Sequence, residues 1–103
     1  MAANDKSILS NDVHKKEETV NENSELHSYK YILGDLGISI ITAIARGAHN
    51  KDSIMMLSGV PMSCVVGRMP VLLNLKLVHQ FNENEFHITK RGLNFLKVIN
   101  ETI

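Results

Sequence analysis

The chain has 103 residues and one cysteine, which leaves room for one small domain and a tail and excludes an intrachain disulfide or a cysteine-based zinc cluster. Its formal net charge is zero, but the sign is split. Residues 1–28 carry three lysines against six carboxylates, a net of −3, and the rest carries eight basic residues against five acids, a net of +3. No apolar run approaches bilayer-spanning length and the start of the chain does not read as a signal peptide, so a cytoplasmic protein without membrane contact is expected.

Residues 1–28 are polar, with isolated apolar side chains at Ile8, Leu9, Val13, Val20 and Leu26. That is too little apolar surface to offset the entropy of ordering, so an acidic, disordered N-terminal tail is expected over 1–28 and a folded domain over 29–103. A fraying helix around HKKEE is the local alternative. An acidic arm that screens a basic face is the functional one. From Tyr29 the composition turns apolar, and Leu36, Ile40, Ile41, Ile44, Ala45 and Ala48 form a helical stripe closed by Arg46-Gly47. Gly34 and Gly37 blur where that helix begins. With no Trp, three Phe and two Tyr, the core must be mainly aliphatic, with methionines as fillers.

Residues 50–77, NKDSIMMLSGVPMSCVVGRMPVLLNLKL, read as two helices joined by a tight turn. Asn50 is placed to cap the first, Asp52 puts a carboxylate in its first turn, and Ile54 and Leu57 share a face. Ser58-Gly59 stops it, Val60 plugs the corner, and Pro61 suits the start of the next helix. In that second helix Val65, Met69, Leu72 and Leu75 recur at spacings of four and three, an inward stripe. Pro70 lies inside it, removes one backbone donor and predicts a kink or break near Gly67–Pro70. Short helix, glycine-containing turn and second helix form the helix-turn-helix pattern.

Residues 77–81 and 85–88 are strand-like around the turn signal Asn82-Glu83-Asn84. A two-residue loop would set Phe81 opposite Phe86, whereas a three-residue loop would set His79 opposite His87. The first gives an inward aromatic pair and is preferred. Thr89 can cap a last helix, which carries two apolar stripes: Leu93, Leu96, Ile99 and Ile103, and then Phe95 with Val98. One stripe closes a core this small, so the second, Phe95 and Val98, is expected to face a partner.

With the hairpin and last helix added, the chain resembles the winged helix-turn-helix superfamily, in particular small archaeal-type regulators of the MarR-like and ArnR-like kind. The residues that carry the resemblance are LSGVPMSCVVGRMPVLLNLKLV (57–78) and FHITKRGLNFL (86–96). The second matches the superfamily's strand-to-helix junction, hydrophobic-x-Leu-Thr-x-x-Gly-x-x-x-Leu, with Ile88 in the leucine place. The resemblance covers about three-quarters of the chain. It implies a mostly α fold with a small β-hairpin: a three-helix core, a two-stranded wing and a C-terminal helix. It also implies a transcriptional regulator that binds double-stranded DNA and forms a homodimer through terminal helices.

For DNA, Arg68 is the foremost residue to read a base edge, because an arginine fork on guanine is the commonest specific contact. It is expected to project opposite Val65 and Met69; its plain alternative is a surface arginine paired with a carboxylate. Ser63 could donate to a phosphate or base. Lys51, Lys76, Lys90 and Arg91 would hold phosphates, which position without specifying, or serve only solubility. Cys64 sits in the first turn, where the helix dipole favours thiolate, so it is either a redox-sensitive contact or a small half-buried residue. Two features point away from DNA: the wing tip Asn82-Glu83-Asn84-Glu85 is acidic, and the second helix's outer edge is poor in donors. They favour the rival reading, a winged-helix protein-interaction module of the transcription machinery. The histidines show no metal-ligand spacing. No nucleophile–base constellation, phosphate loop or carboxylate pair is visible, so neither an enzyme, a metal nor a cofactor is expected.

Overall fold

The computed structural model describes residues 2–101 along the backbone and residues 23–100 in their side chains. Its elements run α1 (Ala2–Ala45), α2 (Lys51–Ser58), α3 (Met62–Asn74), β1 (Val78–Asn82), β2 (Glu85–Ile88) and α4 (Lys90–Glu101). The expected tail therefore lies, up to residue 22, outside the residues whose side chains are described, as does Ile103. Leu26, which the sequence puts in the tail, is buried in the core with Tyr29 and Leu33. These three recur at spacings of three and four and so share one face of α1. At Gly34 the backbone leaves helical geometry (φ 65°, ψ −176°), a region open essentially to glycine alone. Beyond it Ile40, Ile41, Ile44 and Ala48 continue the buried face, while Leu36 and Ala45 turn to solvent.

The α2–α3 unit follows its local signals. Asn50 Oδ1 accepts from the Ser53 N–H at 2.7 Å, and the Ser53 hydroxyl accepts in return from the Asn50 N–H at 3.1 Å, a reciprocal cap. Gly59 closes α2 in the left-handed conformation, Val60 is buried in the corner, and the two helices turn through 111°. Val65, Met69 and Leu72 are buried as expected, with Leu75 half-buried at the cap. Of the kink or break expected near Gly67–Pro70, the break does not occur: α3 runs as one helix over Met62–Asn74 with Pro70 inside it. Pro70 and Val66 both face solvent, so water can take the carbonyl that proline leaves unpaired.

The wing corrects the preferred register. Its turn is the two-residue one, with Asn82 opposite Glu85, but a bulge at Phe81 then shifts the ladder, so that Gln80 pairs with Phe86, His79 with His87 and Val78 with Ile88. Phe86 is buried and its N–H donates to the His49 carbonyl at 2.7 Å, tying the wing to the chain before α2. Phe81 faces out. Thr89 caps α4, accepting from the Gly92 N–H at 3.0 Å and donating to the Lys76 carbonyl at 2.7 Å. The two stripes of α4 are also reassigned. Phe95 is fully buried near Tyr29, with ring centroids 6.4 Å apart, Val98 is half-buried, and it is Leu93 that is 51% exposed. Phe95 thus serves the core and not a partner, because α4 docks on α1 with Gly92, Phe95 and Ile99 inward. Among the described residues no single helix is long and apolar enough to cross a membrane.

Candidate nucleic-acid interface

The solvent edge of α3 follows from its buried stripe. With Val65, Met69 and Leu72 inward, a rotation of about 100° per residue turns Ser63, Gly67, Pro70 and Asn74 outward, and all four are exposed. This edge offers one hydroxyl and one amide. Arg68 is not on it. Three residues after Val65 it lies only about 60° from that side chain's direction, half-buried on the flank with Cys64, Val71 and Leu75. Its guanidinium makes no hydrogen bond or ion pair with the described residues, so the plain alternative of a carboxylate partner is not realised there.

The lysines fall into two places. Lys51 opens α2, one residue after the capping Asn50. Lys76 and Lys90 come together where α3 ends and α4 begins, because the Thr89 hydroxyl bonds the Lys76 carbonyl. Lys76 reaches that position with a left-handed backbone (φ 63°) that lysine rarely adopts. Ser63 is exposed and Cys64 half-buried.

Arg91 differs from the rest, for its fork is directed into the protein. Nε donates to the Leu75 carbonyl at 3.1 Å, and one terminal nitrogen donates to the Tyr29 hydroxyl at 2.6 Å and to Glu25 Oε1 at 3.1 Å. The guanidinium also lies 5.5 Å from the Tyr29 ring centre. The Tyr29 hydroxyl in turn donates to Glu25 Oε1 at 2.6 Å. That bond, with the nearby Arg91 charge, holds the Glu25 carboxyl below its ordinary range against the opposing effect of burial. Burial, and then the bond to Glu25, push the Tyr29 hydroxyl up. Three elements meet here: α1, the end of α3 and the start of α4. Sequence reading missed this network because Glu25 lies in the stretch taken as tail.

A second feature was also missed. Arg46, noted only as a helix terminator, borders an open cleft of about 520 Å³ with His49, Ser53, Met56 and Leu57, and a smaller one of about 200 Å³ with Ile38, Thr42 and Ser58. Among the described residues no carboxylate lines either cleft. Among the described residues no group of three His, Cys, Asp or Glu side chains could hold a metal ion.

No protein-family profile matches the chain, and no curated protein does. Among solved structures it is similar to the crystal structure of the multiple antibiotic-resistance repressor (MarR) from Listeria monocytogenes 4b F2365. The TM-score is 0.62 at 14% identity, over 97% of this chain and 72% of that one. It is also similar to a protein of unknown function from Listeria innocua Clip11262, with a TM-score of 0.53 at 12% identity, over 94% and 77% of the two chains. The fold is therefore the MarR-like winged helix: four helices and a two-stranded antiparallel wing.

Proposed function

We propose that the chain is a transcriptional regulator that binds double-stranded DNA sequence-specifically, laying α3 in the major groove. The observation that carries this reading is the Arg68 fork, without a partner among the described residues, on the flank of a second motif helix whose outer edge is exposed. The likeness in fold to the repressor named in the structural comparison supports the reading. Lys51, Lys76 and Lys90 serve as phosphate contacts, with Ser63 and Cys64 at the entry of the helix. Arg91 fastens the scaffold beneath them. The protein works as a homodimer, and with Phe95 buried the contact falls to the exposed apolar side chains of α1 (Tyr31, Ile32, Leu36) and Leu93 of α4.

The test is binding to a mixed duplex library across a salt series, followed by Arg68→Ala and Lys90→Ala. Affinity should fall steeply with salt on a log–log plot, because phosphate neutralisation releases counterions. Arg68→Ala should cost about 1–3 kcal/mol on the preferred site and less on random duplex, whereas Lys90→Ala should weaken all duplexes alike and flatten the salt slope by about one unit. No duplex retention at low salt would leave the rival reading, a winged-helix protein-interaction module of the transcription machinery. The donor-poor edge of α3 favours that rival.

A further inference from the structure

The clefts beside Arg46 hold a chemistry that neither the fold nor the reading of DNA uses. Arg46 and Leu57 border both the cleft of about 520 Å³ and the one of about 200 Å³, so the two join into one groove between the end of α1 and α2. Leu57 lies three residues after Ile54 and shares its face, yet Ile54 is fully buried and Leu57 is 48% exposed. Among the described residues nothing covers it. Met56 beside it is 79% exposed. Contiguous apolar side chains rimmed by polar groups mark interaction surfaces, and an unbranched methionine adapts to the shape of what it meets. The exposed apolar side chains of α1 and α4 are taken by the proposed contact between copies, whereas these two belong to α2.

The polar groups around the groove are mostly spent. The Ser53 hydroxyl accepts from the His49 and Asn50 N–H groups, both at 3.1 Å, and donates to the Asn50 carbonyl at 3.0 Å. The Thr42 hydroxyl donates to the Ile38 carbonyl at 2.7 Å, and the Ser58 hydroxyl accepts from the Val60 N–H at 3.1 Å. The Arg46 guanidinium, by contrast, has no partner among the described residues. Asp35 on α1 and Asp52 on α2 border neither cleft, so the open charge of the groove is positive.

Charge complementarity then selects the occupant. A purely apolar segment would cover Arg46 and leave a desolvated charge unpaired, which costs more than the apolar contact returns. A bare anion or a phosphate would satisfy Arg46 and leave Met56 and Leu57 in water. We propose that the groove docks an acidic, apolar segment of a protein partner, with a carboxylate on the Arg46 fork and an adjacent apolar side chain against Met56 and Leu57. The groove is open along its solvent side and extends to both sides of Arg46, a shape suited to a peptide segment and not to an enclosed small molecule. Its walls are α1 and α2, not α3, so the inference stands whether or not α3 binds DNA.

The experiment is a titration of the full chain, followed through its backbone amide resonances, with a capped peptide that alternates glutamate and leucine. Its lysine–leucine and glutamate–serine counterparts and a mixed DNA duplex are the controls. Of the peptides, only the glutamate–leucine one should move the amides of residues 46–58 saturably. Arg46→Gln should weaken it about fivefold, the upper worth of an exposed ion pair, and Leu57→Ala about fivefold through lost apolar contact. Both residues are exposed, so neither substitution threatens the fold. Duplex affinity should be unchanged by Arg46→Gln, so the peptide result and the DNA result are read separately. The proposal is overturned if the glutamate–leucine peptide leaves these amides unmoved, or binds both variants as it binds wild type. Equal binding of the lysine–leucine or the glutamate–serine peptide also overturns it, since one half of the recognition would then be idle. So does a loss of duplex affinity in Arg46→Gln, which would make Arg46 a phosphate contact. Movement of the same amides on dilution without peptide would assign the groove to a second copy of the chain and overturn it as well.

Discussion

Gly92→Ala adds a single methyl group where α4 passes closest to the rest of the chain. A Cβ built on Gly92 would sit 2.2 Å from the Leu77 carbonyl oxygen, 2.7 Å from Ile88 Cγ1 and 3.2 Å from the Leu77 carbonyl carbon. An ordinary carbon–oxygen contact needs roughly 1 Å more than the first of these, and a backbone oxygen cannot swing aside as a side chain can. The same oxygen accepts from the Thr89 N–H at 3.1 Å, so moving it strains the bond that starts α4. Overpacking of this kind costs about 1–3 kcal/mol, and a weakened buried hydrogen bond adds about 1 kcal/mol. Alanine's better helix propensity returns about 1 kcal/mol. The net expectation is a loss of about 1–3 kcal/mol, a large share of the stability of a domain this small. Urea denaturation at fixed pH measures it directly, with an unchanged slope confirming that the same surface unfolds. A Gly92→Ala protein within about 0.5 kcal/mol of wild type, the ordinary scatter of surface substitutions, would show that α4 does not approach Leu77 as described.

Further outcomes follow from the backbone and from the Glu25–Tyr29–Arg91 network. Lys76→Gly should raise stability by about 1 kcal/mol, since lysine at φ 63° bears a left-handed penalty that glycine escapes; thermal melts would show no gain if that conformation is not populated. Glu25, held below its ordinary value of 4.5 chiefly by the Tyr29 hydroxyl, contributes stability that is fully present above that value and is lost as pH falls through the lower folded one. Denaturation midpoints from about pH 6 to about pH 3 should therefore drop, and Glu25→Gln should shallow that drop. Tyr29 acts in the opposite range. Its raised value makes its contribution whole below 10.0 and lost as pH climbs through the folded value, so Tyr29→Phe should flatten the alkaline limb.

How much of this fold could be read in advance depends on how local each determinant is. The α2–α3 turn was legible because its signals lie within a few residues of what they control: Asn50 and Ser53 cap each other, Gly59 stops the helix, and Val60 fills the corner. The capping of α4 by Thr89 was legible for the same reason. The wing register was not. Phe81 and Phe86 are equally apolar, and the choice between them is made by the His49 carbonyl, which takes the Phe86 N–H from a distant part of the chain. Once Phe86 is committed inward, the two-residue turn and the inward ladder disagree by one residue, and the bulge at Phe81 absorbs the difference. Likewise the stripes of α4 are both regular. Only the docking of α4 against Tyr29 on α1 decides that Phe95 goes in and Leu93 stays out.

The interface residues divide along the same line. Solvent exposure of Ser63 and of Lys90 at the start of α4 follows from helix periodicity and capping, both short-range. The direction of Arg68 did not, because a residue about 60° from the buried stripe can be read as flank or as outer edge until the neighbouring helices are in place. Arg91 shows the extreme case. In sequence it is a second basic residue after a helix cap, indistinguishable in kind from Lys90. In the fold its partners Tyr29 and Glu25 lie 62 and 66 residues away, and its third, the Leu75 carbonyl, lies 16 away. An arginine has five donors in a rigid fork and so can answer several acceptors at once where a lysine cannot. That capacity is what separates the pair. Lys90 keeps its charge at the surface, and Arg91 uses its own to hold α1, α3 and α4 in the geometry on which the open edge of α3 depends.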